Sequence, residues 1–274
     1  MPSMCGVYMR VAAALRRSPL FSPCFPNFFS HRRLFWSQQI LHAVMRFTIV
    51  ATALAASVVA NPLAERACPD IHIFGARETT ASAGYGSASA VVNKILAGYP
   101  GSTAEAISYP ACGGQASCGG ATYSQSVAAG VNAAYEAVNS YAASCPKTKI
   151  VLVGYSQGSE IFDVSLCGGG NPNQGITDKA VRFSAAAVAS IQAVIFMGNP
   201  MYQTGLPYNV GTCKAGGFDA RPSGFSCPSA AKIQSYCDAP DPYCCNGKDE
   251  ATHSGYGSVY GNAAYDFVKS KLGS

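Results

Sequence analysis

The sequence predicts an α/β protein, with a parallel sheet of about five strands covered by helices on both faces in a three-layer sandwich. Three observations lead there. Apolar runs of strand length alternate with longer helical patterns, the order that builds a parallel sheet through crossover helices. One run, Lys149–Tyr155, passes through Gly154-Tyr-Ser156-Gln-Gly158 straight into a helical pattern. Residues 67–274 form one stretch without repeats, long enough for a single well-buried core.

The segments before this stretch read differently. Residues 1–64 contain no Asp or Glu. Met45-Arg46 precedes the apolar run Phe47–Ala60, which ends in the small-residue pattern Val58-Val59-Ala60. This is the form of a signal peptide over 45–60. Its apolar run falls short of the roughly 20 residues that a membrane-spanning helix needs. Residues 61–66, ending at Arg66, read as a propeptide. Residues 1–44 read as a non-native extension or a disordered leader, because a signal peptide works only from an N-terminus. An organelle transit peptide is the alternative. The remaining 67–274 is the expected catalytic domain.

Within that domain the strand candidates are Asp70–Gly75, Ala104–Tyr109, Lys149–Tyr155, Gln192–Gly198 and Ile233–Cys237. The helical candidates are Ser87–Leu96, Tyr123–Ala143, Ser156–Leu166, Ala185–Ile191 and Tyr260–Leu272. Val91, Val92, Ile95 and Leu96 share one face of the first. Val127, Val131, Ala134, Tyr135 and Val138 share one face of the second, at the spacing of an inward stripe.

Charge and cysteine content bound the function. The chain has 19 basic and 14 acidic residues; seven arginines and one acid fall in 1–66, which leaves 12 and 13. The domain is thus nearly neutral, and the basic balance of the whole chain implies neither a nucleic-acid nor a membrane partner. Ten of the 12 cysteines lie in the domain, an even number behind a signal peptide, and so a disulfide framework is expected. No Cys-x-x-Cys pair or histidine cluster accompanies them, and no metal is expected. The Gly-rich stretches at Cys112–Gly120 and Cys167–Gly170 lack a following Lys-Ser/Thr and read as pinned loops.

The strand–Gly-x-Ser-x-Gly–helix arrangement is the nucleophile elbow of an α/β-hydrolase, with Ser156 as nucleophile. A serine hydroxyl needs a base to take its proton. His72 sits inside a strand, between Ile71 and Ile73, and reads as structural. His253 follows Ser156 and precedes the last helix, in what reads as a polar loop. It is the only histidine in the serine–acid–histidine order of these enzymes. The acid must come from Asp219, Asp238, Asp241 or Asp249. Asp241 stands out because it follows the last strand, in Cys237-Asp-Ala-Pro-Asp241-Pro-Tyr-Cys244-Cys245. The oxyanion donors expected are the amide of Gln157 and one from the loop Gly75–Thr80.

Several motifs resemble the fungal acetylxylan esterases of the cutinase and acetylxylan esterase family. They are Ile71-His-Ile-Phe-Gly-Ala-Arg-Glu-Thr-Thr80, Tyr109-Pro-Ala-Cys-Gly-Gly114, Val153-Gly-Tyr-Ser-Gln-Gly158, Gly205–Cys213, Phe218-Asp-Ala-Arg-Pro222, Asp241-Pro-Tyr-Cys-Cys245 and His253-Ser-Gly-Tyr-Gly257. The resemblance spans 68–274. It implies a cutinase-like fold without a lid, Ser156, Asp241 and His253 as the triad, and Thr79 with Gln157 at the oxyanion. It implies that Tyr243 lies over the acyl pocket and favours acetyl over long chains. It also implies five bridges: Cys68–Cys145, Cys112–Cys118, Cys167–Cys227, Cys213–Cys245 and Cys237–Cys244. The expected protein is a secreted, cofactor-free monomer acting on acetylated xylan, with a cutinase for longer-chain polyesters as the alternative. One departure is Asn199, where the family usually has Asp.

Overall fold

The computed structural model describes residues 68–273. The segments read as leader, signal peptide and propeptide lie outside these residues. Six strands form one sheet: β1 Ile71–Ala76, β2 Thr103–Ala106, β3 Lys149–Tyr155, β4 Ile191–Met197, β5 Asn209–Val210 and β6 Ile233–Tyr236. Their order is β2-β1-β3-β4-β6-β5, and every pairing is parallel. The five expected strands are present, and β5, only two residues long, is an addition. β2 stops short of the expected Tyr109. Instead, Tyr109 turns away to exchange bonds with Arg77: its hydroxyl donates to the Arg77 carbonyl, and its own carbonyl accepts from Arg77 Nη2.

Strand alternation splits the core into two layers. Phe74, Ile150, Leu152, Val194 and Phe196 point to one face, where they meet Val127, Val131, Ala134 and Val138 of α2 (Tyr123–Ser144), Ile161 and Phe162 of α3 (Gln157–Cys167) and Ala187 of α4 (Ala185–Ser190). Ile73, Val151, Val153, Ile195 and Met197 point to the other, against Val91, Val92 and Ile95 of α1 (Ser89–Gly98) and, further along the chain, Ala264 and Val268 of the last helix. Tyr135 departs from the expected stripe. It is 42% exposed, and the Arg182 guanidinium lies 5.5 Å from its ring centre. α2 starts on a capping box: Thr122 Oγ1 accepts from the Gln125 amide, and Gln125 Oε1 accepts from the Thr122 amide.

The C-terminal region corrects the expectation for His253. It lies not in a loop but in a short helix, α5 Glu250–Ser254, and the last helix, α6 Tyr256–Leu272, starts four residues earlier than expected. The reason is local. The Asp249 carboxylate caps α5 by accepting from the Ala251 amide and the Thr252 hydroxyl. All five bridges pair as the resemblance implies.

Candidate active site

The segments that follow β1, β2, β3, β5 and β6 converge on one cleft of about 520 Å³, lined by Glu78, Thr79, Thr80, Ala81, Tyr123, Ser156, Phe218, Tyr243, Glu250, His253 and Ser254. In an open parallel sheet the carboxyl end of the strands is where ligands bind.

Ser156 sits between β3 and α3 at φ 50°, ψ −120°, a strained conformation for a residue with a Cβ. The two flanking glycines make that turn possible. A Cβ at Gly154 would lie 2.6 Å from Ser159 Cα, and one at Gly158 would lie 2.1 Å from the Ala76 carbonyl oxygen. Among the described residues, two other non-glycine residues have positive φ, Thr80 and Ala111, and the Thr80 amide donates to the Ala111 carbonyl at 2.7 Å. Strain is thus concentrated around the cleft, in the elbow and in the loop after β1. Arg77 fixes the base of that loop, where Nε donates to the Ala81 carbonyl at 3.0 Å.

The acid candidates separate cleanly. Asp238 accepts from the Thr212 amide and hydroxyl and from the Tyr260 hydroxyl. Asp219 takes a bond from Gln174, and Asp249 is the α5 cap. Asp241 alone contacts a histidine: His253 Nδ1 donates to its Oδ2 at 2.7 Å. The Tyr256 hydroxyl donates to the same oxygen at 2.8 Å, and the amides of Tyr243 and Cys244 donate to Oδ1 at 2.6 and 3.0 Å. Asp241 is fully buried. Burial alone would raise its pKa, but the bond and charge of His253 and the two amide bonds outweigh it, and the carboxyl is held below its ordinary value. The Cys237–Cys244 bridge closes the loop that carries it.

His253 is held from several sides. Tyr155 donates to its carbonyl at 2.6 Å, and the Tyr243 ring packs on the imidazole with centroids 4.5 Å apart. Gly198 lies behind it at φ +61°, so close that a Cβ there would lie 2.7 Å from His253 Cε1. Ser156 shares the cleft with His253, without a hydrogen bond from its hydroxyl to the imidazole; in unliganded sites such bonds are often long. Thr79 lines the same cleft. The Gln157 side chain is taken up elsewhere: its Oε1 accepts from Ser126 Oγ, and its Nε2 donates to the Cys112 carbonyl. Its amide, at the first position of α3, has no acceptor within the helix. Tyr243 is half-exposed at the rim, and its hydroxyl donates to Glu250.

The remaining sequence expectations fall outside the cleft. His72 is buried in β1, bonded to Thr103 and stacked on Tyr141 with centroids 3.9 Å apart. Burial lowers its pKa to about 4. Asn199 donates to Asp163, which is paired with Arg221. An Asp at 199 would set a second carboxylate against Asp163, and the amide avoids this. Among the described residues, the one group of three potential metal ligands is Cys213, Cys237 and Cys245. All three are in disulfides and offer no thiolate. Gly198, Tyr155 and Tyr256 are the residues that sequence reasoning missed.

Comparisons agree with this architecture. A protein-family model described as Cutinase matches residues 67–272. The chain is 66% identical to acetylxylan esterase 2 of Talaromyces purpureogenus over 82% of its own length and 97% of that protein. It is 61% identical to cutinase 11 of Verticillium dahliae, over 82% of its own length and 76% of that protein. A solved acetylxylan esterase structure, 71% identical, superposes with a TM-score of 0.75 over 75% of this chain and all of the other.

Proposed function

The chain belongs to the cutinase family, and on that premise we propose that it is a secreted serine esterase that removes acetyl groups from acetylated xylan through an acyl-enzyme. The observation that carries this reading is the fully buried Asp241 carboxylate bonded to His253 at 2.7 Å, on the cleft that also holds the strained Ser156. Ser156 Oγ attacks the acetyl carbonyl, and the imidazole Nε2 of His253 takes its proton. Asp241 fixes the tautomer and stabilises the imidazolium. The Thr79 and Gln157 positions donate to the oxyanion. Collapse expels the xylan hydroxyl, which takes the proton back from His253. Water, activated by the same imidazole, then releases acetate.

The substrate follows from the acetylxylan esterases among the relatives and from Tyr243, whose ring stands over the imidazole. Export fits the cysteines: the ten in the described residues are all in bridges, as an oxidising compartment allows. Incubating the protein with acetylated xylan should release acetate, and Ser156→Ala should release none. A wild type that leaves the acetylated polymer intact would refute the proposal.

The likeness to a cutinase favours a second reading, in which long-chain polyesters are the substrate. Chain-length preference separates the two. The wild type should hydrolyse 4-nitrophenyl acetate well and the octanoate poorly. Tyr243→Ala should move the preference toward longer chains, since it removes the ring beside the imidazole, against which crowding extra methylenes costs about 1–3 kcal/mol. Preference of the wild type for octanoate would select the cutinase reading.

A further inference from the structure

Five large apolar side chains are exposed among the described residues: Tyr135, Val181, Phe218, Tyr243 and Val259. Two of them, Phe218 and Tyr243, line the cleft that holds Ser156. Tyr243 has a polar tip bonded to Glu250. Phe218 has none, and half of it is open to solvent. It is nevertheless fixed. Its amide donates to the Tyr243 carbonyl at 3.1 Å, and the next amide, of Asp219, donates to the Pro200 carbonyl at 3.1 Å. Its ring meets the Tyr123 ring edge-on with centroids 5.5 Å apart. Tyr123 is itself anchored through its hydroxyl to Glu160, buried beneath it.

A rigid phenyl ring at the mouth of a cleft offers one thing to a ligand, a flat apolar face. We propose that Phe218 is the platform on which the sugar ring bearing the acetyl group stacks. This rests on the acetylated-xylan reading above and names the residue that recognises the alcohol side of the ester. The acetyl must point inward to reach Ser156, with Tyr243 and His253 beside it. The cleft, at about 520 Å³, has room for far more than an acetyl group. The sugar then takes up the remaining space, against the Phe218 ring that lines the same cleft. A xylopyranose ring carries no hydroxymethyl group, and both its faces present C–H bonds that suit an aromatic face. Its hydroxyls project from the ring edge, free to bond water.

The test compares two acetyl esters that differ only in the alcohol. One is an acetylated xylotetraose. The other is methyl acetate, whose alcohol is too small to reach Phe218; a nitrophenyl ester is avoided because its own ring would stack there. For each variant, the readout is the ratio of kcat/KM on the oligosaccharide to that on methyl acetate. Phe218→Ala should lower this ratio roughly tenfold, about the loss of one good aromatic contact, and mainly through KM on the oligosaccharide. Phe218→Trp should keep the ratio at or above wild type. An unchanged ratio in Phe218→Ala overturns the platform. So does an equal loss on both esters, which would mark a structural role. A drop confined to methyl octanoate would assign the ring to an acyl chain and also overturn it. A wild type active on methyl acetate but inert on the oligosaccharide would defeat the xylan reading itself.

Discussion

Gly198→Ala is the most searching test of the imidazole geometry. The added Cβ would lie 2.7 Å from His253 Cε1, 2.9 Å from Nδ1 and 3.2 Å from Tyr256 Cε2. Carbon atoms in ordinary contact are about 3.5–4.0 Å apart, and the imidazole would have to retreat by about 1 Å. It cannot retreat freely, because Nδ1 is bonded to a fully buried carboxylate and the Tyr243 ring packs against the imidazole with centroids 4.5 Å apart. A misplacement of about 1 Å can cost about 100-fold in rate, which is about 2.7 kcal/mol of transition-state stabilisation. The φ of +61° adds a backbone cost of about 1–2 kcal/mol to folding for any L-residue. The expected variant is folded, somewhat less stable to urea, and about 100-fold lower in kcat/KM on 4-nitrophenyl acetate. Urea midpoints separate the two effects. A folded variant with wild-type kcat/KM would refute the idea that Gly198 sets the imidazole position.

Ser156→Ala and His253→Ala should each abolish turnover by several orders of magnitude, and the double variant should lose little more, because the members act as a unit; additive losses would count against a triad. Tyr256→Phe removes a donor to Asp241 Oδ2 and the acceptor for the Asp238 amide. It should cost about 1–3 kcal/mol in stability and move the acid limb of the kcat/KM profile to higher pH, since the lost bond favoured the ionised carboxyl. A variant with unchanged stability and profile would argue against the assigned bonds. His72 is buried with its pKa lowered to about 4, against an ordinary 6.5. The unfolded chain therefore binds that proton more readily, and stability should fall as pH drops from 6.5 toward 4, by an amount on the order of 3 kcal/mol. In His72→Gln that part of the slope should disappear; an unchanged slope would assign the loss to other groups.

Much of this was legible in the sequence, and the misses share a cause. Long strands such as Lys149–Tyr155 announce themselves by continuous apolar runs, and the elbow by its two glycines. The two residues of β5 carry no period at all and are held by pairing with Ser235 and Tyr236. The helix around His253 is only five residues long, although Asp249 followed by Glu250 was a readable start signal. Asp241 is favoured by its place between cysteines and by the family resemblance, and the bonds from His253 and Tyr256 separate it from Asp238 in space. Gly198 and Tyr155 act on His253 through space across strands, and no local pattern marks them. Phe218 was read as part of a motif, and its exposure depends on how the loop folds over Pro200 and Tyr243.

The disulfide around Asp241 separates how the site is made from how it is kept. Cys237 and Cys244 have no accessible surface, whereas Cys68 is exposed and Cys145 and Cys118 are partly so. An external thiol meets the bridges farther from the acid first and reaches this one only if the domain opens. The carboxylate's position is thus set once, during oxidative folding, and then sealed. Mild reductants should loosen the periphery while the completed site persists, and a chain that has never been oxidised should be unable to hold the acid beneath the imidazole.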